Sequence, residues 1–341
     1  MIEQTYITAN GIRQHLRRRN GGEKVAVFIH GNGSDSVFWE EVMEGMPEAY
    51  TCYAPDLRGY GYTEAVPAYA AKSFGDFVDD IVALIDRLEV EEYVVFGHSL
   101  GGGIIWELLL RDQARIKDII QVNPASPFGF GGTKGKEGTL TCPDGAGSGA
   151  GVVNPDFARL LKEEYRGTEN PSAPINVMNA FYWEPPFFPE RLDDLLEGLL
   201  RMRVGEDFYP GDFSPSENFP FTKPGSKGQI NAASPLSKSG ILENLKTLPE
   251  GLKLLWVRGG KDKIVSDQSM FDTAVLGKMG LIPDYPGEET CPPQPMVEQT
   301  RYVLQAMNAD FEEVVFEDSG HSPYLEEYDR FMKLIAKRLN E

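Results

Sequence analysis

The sequence predicts an α/β fold: a doubly wound, mostly parallel sheet with a large segment inserted between core strands. Two observations carry this. Short apolar, β-branched runs alternate with longer amphipathic stretches at both ends of the chain, and that rhythm stops after Pro127 and resumes near residue 236. Length agrees, since 341 residues are more than one ordinary domain needs and fewer than two full ones. The expected organisation is a core of residues 1–127 and 236–341, a lid of residues 128–235, and a smaller loop insertion at 277–295 within the core.

The elements follow in order. Tyr6 to Arg19 holds two alternating runs about Asn10-Gly11, an antiparallel hairpin at one sheet edge. The runs VAVFIHG, TCYAPDL, YVVFGHS and DIIQVNP are short and apolar on both faces, as strands of a doubly covered parallel sheet must be. Between them lie a segment around Trp39 to Met46 and helices at Ser73–Leu88 and Leu100–Arg111. Nine glycines fall between Phe128 and Gly151 with no helix or strand period, so that stretch is expected to be a mobile surface loop. From Asn154 to about Pro235 the chain is aromatic-rich and punctuated by proline, with helical stretches at Phe157–Tyr165 and Arg191–Met202. KLLWVRGG, helices near Ser266–Leu276 and Gln294–Met307, EEVVFEDSG and a final helix from Tyr324 to Leu339 complete the core.

Composition narrows the function. Fifty-two acidic against 33 basic side chains give a formal charge of −19, which repels phosphate backbones and anionic membrane surfaces. Nucleic-acid and membrane partners are therefore not expected, and a small-molecule substrate is. Residues 1–5 carry neither a basic nor an apolar export region, which makes a cytoplasmic location the expectation. Three cysteines are too few for a disulfide framework and have no metal-ligand spacing; Cys142 and Cys291 are expected as free thiols.

Chemistry concentrates at the carboxyl ends of the predicted strands. Gly97-His98-Ser99-Leu100-Gly101 is a G-x-S-x-G between strand YVVF and a helix, the strained turn that presents a serine nucleophile. A serine needs a base, and of four histidines only His321, just past the last core strand, suits the role. His30 and His98 are read as braces. Asp262, after KLLWVRGG, supplies the carboxylate that fixes the imidazole, with Asp318 as competitor. The position after the preceding strand reads Gln121-Val122-Asn123-Pro124 and offers no acid. Oxyanion donors are expected from the backbone amides of Leu100 and Asn32, the latter in His30-Gly31-Asn32-Gly33-Ser34. Neither a phosphate loop nor a dinucleotide fingerprint occurs there.

With these residues in place, the chain resembles the α/β-hydrolase superfamily, through HGNGS at 30–34, DLRGYG at 56–61, GHSLGG at 97–102, GGKD at 259–262 and DSGHSPYLEE at 318–327. The resemblance implies a lidded serine hydrolase whose catalytic residues are Ser99, Asp262 and His321, with no metal or organic cofactor. Asp56, Arg58 and Gly59 match a scaffold turn. Haloalkane dehalogenases and epoxide hydrolases of this fold carry aspartate at the elbow, so Ser99 argues against both. Cleavage of carboxylic esters or lactones of small apolar substrates is the leading expectation. Carbon–carbon bond hydrolysis, aminopeptidase-like hydrolysis, and a small-molecule receptor with slow turnover stay open. Fourteen aromatics among the 94 residues from Phe128 to Phe221 imply a ring-lined pocket, for which Trp183, Phe181 and Phe187 are the candidates.

Overall fold

The computed structural model describes residues 1–340. Strands β1 (Ile2–Ala9) and β2 (Ile12–Arg19) form the expected hairpin, and Asn10 and Gly11 turn it with φ of 51° and 72°. Both values are positive, as a two-residue turn matching strand twist demands. Then come β3 (Lys24–Ile29), α1 (Glu40–Gly45), β4 (Tyr50–Pro55), α2 (Gly75–Arg87), β5 (Tyr93–His98), α3 (Leu100–Asp112) and β6 (Ile116–Val122). An inserted segment carries helices α4 (Pro155–Lys162), α5 (Pro174–Phe181) and α6 (Leu192–Leu200). The sheet resumes with β7 (Lys253–Gly259), followed by α7 (Met296–Ala306), β8 (Asp310–Phe316) and α8 (Tyr328–Asn340).

These eight strands make one sheet in the order β1-β2-β4-β3-β5-β6-β7-β8, with β2 antiparallel to its neighbours and every pair from β4 to β8 parallel. All six residues of β5 are buried, which is why no polar alternation marks it in the sequence. The strand order reverses between β3 and β5. Loops leaving those two carboxyl ends therefore diverge and open a crevice, the place where such sheets hold ligands. The chain puts Gly31–Ser34 and Ser99 there.

Two expectations need correction, and one helix has no counterpart in the sequence reading. The Gly-rich stretch is not a free surface loop: much of it is buried and folded on itself, with Thr133–Lys134 paired to Thr139–Leu140 and Gly131 bridged to Ser148. Its backbone is held by side-chain amides arriving from far along the chain. Gly131 N donates to Gln294 Oε1 at 2.6 Å, Gln294 Nε2 to Gly129 O at 3.0 Å, and Gln299 Nε2 to Gly135 O at 2.9 Å. Composition could not show partners more than 150 residues distant. The helix expected at Ser266–Leu276 occupies only Thr273–Lys278. Ser269 Oγ accepts from Phe271 N and donates to Ile264 O, and Asp272 caps Ala274 N, so local side-chain bonds hold the chain out of the helix until residue 273. Helix α5, begun by Pro174 at its first turn, was not anticipated at all.

The inserted segment is docked on the core. Arg201 pairs with the buried Asp35 at 2.7 Å and Arg191 with Glu40 at 2.5 Å, one beyond each end of α6. A Cβ at Gly198 in that helix would come within 2.9 Å of Val37, so only glycine permits the close approach.

Candidate active site

Ser99 sits between β5 and α3 with φ 54° and ψ −117°, a conformation an L-residue keeps only when its surroundings hold it. Its amide donates to Val122 O at 3.0 Å, and its carbonyl accepts from Gly103 N and Ala125 N. The flanking glycines are sterically required. A Cβ at Gly97 would meet Ile105 Cδ1 at 2.5 Å, and one at Gly101 would meet Ile29 O at 2.3 Å. Small residues let α3 start against β3, and the serine is left 9% exposed.

His321, in the loop after β8, contacts Asp262 Oδ2 through Nδ1 at 2.8 Å. The other carboxylate oxygen of Asp262 accepts from Ile264 N at 2.7 Å and Val265 N at 3.0 Å, which fixes its plane. With Nδ1–H donating to the carboxylate, Nε2 is left as the basic nitrogen. The competitor, Asp318, is 90% exposed and pairs with Lys261 at 3.1 Å. The His321 ring lies 4.6 Å from that of His98, the residue preceding the serine. Loops from β5, β7 and β8 thus bring the neighbourhoods of Ser99, Asp262 and His321 together.

Two residues bracing this arrangement escaped sequence reasoning. Asn123 Nδ2 donates to His321 O at 2.7 Å, and Asn123 Oδ1 accepts from Gly259 N at 2.9 Å, tying β6 to the loops after β7 and β8. In the sequence Asn123 shows only that no carboxylate stands at the end of β6. Glu326 accepts from the amides of Gly320, Ser322 and Glu184. Burial pushes its carboxyl above the usual range. His98 braces as anticipated, donating through Nε2 to His321 O at 2.8 Å; burial and the nearby His321 hold it neutral, its pKa well below the ordinary value.

The loop after β3 lies against the serine, where a Cβ at Gly31 would be 3.0 Å from Ser99 Cβ. His30 Nε2 accepts from Leu57 N and its Nδ1 donates to Gly31 O, so it holds the loop and is not a second base. Its pKa is lowered, chiefly by burial. Tyr60 O–H donates to Asn32 Oδ1 at 2.9 Å. Among the described residues no acceptor takes the backbone amide of Asn32 or of Leu100. The DLRGYG turn is scaffold: Asp56 accepts from Ser36 N and Tyr62 N, and Arg58 pairs with Asp80 through two nitrogens.

Of the three aromatic pocket candidates, Trp183 is fully buried with its backbone against Gly320, beside His321. Phe187 packs on it with centroids 6.4 Å apart. Phe181 instead places its ring edge-on to Phe271 at 5.1 Å.

Comparison with known proteins fits this geometry. The profile of the Alpha/beta hydrolase family matches residues 26–334. The 2-hydroxymuconate semialdehyde hydrolase of a Pseudomonas species is 34% identical over 122 residues, 35% of this chain and 42% of that protein. Epoxide hydrolase 2 of Siraitia grosvenorii is 31% identical over 123 residues, 36% of this chain and 39% of that one. Matches to the first curated relatives span only 32–42% of their length. Among solved structures, the esterase EaEST of Exiguobacterium antarcticum superposes with a TM-score of 0.60 at 17% identity, covering 99% of this chain and 100% of its own, a likeness of fold. Among the described residues no helix is long and apolar enough to cross a membrane. With the profile spanning nearly the whole chain and the sheet, elbow and loops in matching order, this chain belongs to the alpha/beta hydrolase family.

Proposed function

We propose that the protein is a serine hydrolase that cleaves carboxylic esters or lactones of small apolar substrates through an acyl-enzyme. The observation that carries this reading is Ser99, held at φ 54° at the start of α3 with Gly31 of the Asn32 loop against it and the amides of Leu100 and Asn32 unspent. Ser99 Oγ attacks the carbonyl carbon as His321 Nε2 takes its proton, and the resulting oxyanion accepts from the two amides. Asp262 holds the imidazolium in register. Collapse of the tetrahedral intermediate breaks the carbon–oxygen bond, and His321 returns the proton to the leaving alkoxide. A water deprotonated by His321 then cleaves the acyl-enzyme and regenerates Ser99. The inserted segment acts as a lid whose aromatic residues favour apolar substrates.

An epoxide hydrolase reading would require a carboxylate where Ser99 stands. Carbon–carbon bond hydrolysis on the same groups is the second reading, favoured by the stretch shared with the 2-hydroxymuconate semialdehyde hydrolase. A fluorophosphonate should add once, at Ser99, and Ser99→Ala should lose turnover of p-nitrophenyl esters by about 10⁴-fold or more. Labelling elsewhere, or an active alanine variant, would refute the serine mechanism; faster turnover of a diketone than of a matched ester would select the second reading.

A further inference from the structure

The serine reading demands that three separate loops keep a fixed spacing: Gly31–Ser34, the acid loop around Asp262 and the base loop around His321. A three-residue stretch just after α5 touches all of them. Tyr182 is buried and its O–H donates to Gly33 O at 2.9 Å. A Cβ at Gly33 would fall 2.3 Å from that hydroxyl, so the tyrosine sits on a position only glycine leaves open. Tyr60 holds Asn32 by its side chain, so the loop that offers the Asn32 amide is pinned by both tyrosines.

Trp183 and Glu184 reach the other two loops. A Cβ at Gly320 would come within 3.0 Å of Trp183 C and of Glu184 N, so the inserted segment lies in contact with the residue before the base. Glu184 N donates to Glu326 Oε2 at 2.8 Å, the same oxygen that accepts from Gly320 N at 2.8 Å. The Glu184 carboxylate pairs with Lys263 at 2.7 Å, and Lys263 directly follows Asp262.

We propose that Tyr182, Trp183 and Glu184 are positioning residues: a clamp that sets the spacing of the oxyanion, acid and base loops, so that the inserted segment serves the chemical step as well as covering the substrate. This rests on the serine-hydrolase reading. The clamp acts on turnover because reactive groups displaced by even a fraction of an ångström lose alignment in the transition state, whereas ground-state binding tolerates such shifts. The Arg201–Asp35 and Arg191–Glu40 pairs keep α6 docked, and Leu199 of that helix also lies against Gly33, but neither pair involves the acid or base loop, which residues 182–184 reach.

The test compares p-nitrophenyl acetate with a longer acyl ester on folded protein of wild-type melting temperature. Tyr182→Phe removes only the hydroxyl on Gly33 O and should lower kcat about tenfold on both esters, with KM within about twofold. Lys263→Glu and Glu184→Lys should each lower kcat, and the swapped pair should restore most of it; both side chains are partly exposed, so these variants decide the matter even if Tyr182→Phe fails to fold. The clamp is refuted if kcat stays at the wild-type value in the single variants while only KM for the longer ester moves, or if the swapped pair adds its losses. Failure of the wild type to take a fluorophosphonate at Ser99 would instead defeat the underlying serine reading.

Discussion

The side chain of His98 donates through Nε2 to the backbone carbonyl of His321 at 2.8 Å, joining the residue before the elbow serine to the proposed base 223 positions later. One bond thus couples the elbow to the loop that must meet it. Nδ1 of His98 is buried without a partner, as a neutral ring donating only through Nε2 leaves it. His98→Ala should therefore lower kcat for p-nitrophenyl acetate by about 10²-fold, through displacement of His321, while fluorophosphonate still labels Ser99 slowly. Wild-type turnover in that variant would show that Asn123 alone suffices to hold the loop.

Asp262 and Asp318 make a matched pair of acids. Asp262→Asn should cut turnover about 10⁴-fold by favouring the wrong imidazole tautomer, without loss of the folded state. Asp318→Asn, at a carboxylate 90% exposed, should change turnover by less than about twofold. Steady-state kinetics on both variants decides the assignment, and a greater loss in Asp318→Asn would reverse it.

Gln294 holds the Gly-rich stretch by accepting from Gly131 N and donating to Gly129 O. Gln294→Leu strands two buried backbone groups and should destabilise the protein by about 3 kcal/mol in urea unfolding. Limited proteolysis should then cut between residues 131 and 148 in the variant and leave the wild type intact there. Resistance in the variant would mean that the glycine turns hold themselves.

Lys238 is buried against the Phe74 ring, 3.4 Å from its centroid, and pairs with Glu107 at 2.6 Å. Burial pushes its ammonium down to about 8 from 10.5, although Glu107 draws it back up. Between those two values the unfolded chain binds more protons than the folded one, so the stability this residue confers rises with pH there and is flat below 8. Measured against Lys238→Met, wild-type unfolding free energy should climb from pH 8 to 10.5. A constant difference across that range would show the lysine to be freely titrating.

Much of the site could be read from local pattern because its parts are local. G-x-S-x-G after an apolar strand marks the elbow, since the clashes that exclude larger residues at Gly97 and Gly101 arise within one strand-turn-helix unit and its immediate neighbour strand. Gly259-Gly260-Lys261-Asp262 and Ser319-Gly320-His321 follow recognisable strands in the same way. Asn123 and Glu326 were not legible, because their roles consist of bonds to backbone atoms of other loops, and an asparagine or a glutamate in isolation carries no sign of such a partner.

The sequence by itself determined the doubly wound sheet, its hairpin edge and the residues at the strand ends, since periodicity and turn chemistry act over a few residues at a time. Tertiary structure alone decided that the Gly-rich stretch is pinned by Gln294 and Gln299, that Phe181 packs on Phe271, and that Tyr182 and Glu184 reach three loops at once. Those outcomes depend on which distant groups meet when the sheet closes. A buried backbone amide or carbonyl must find a partner somewhere, and only the folded chain fixes which one.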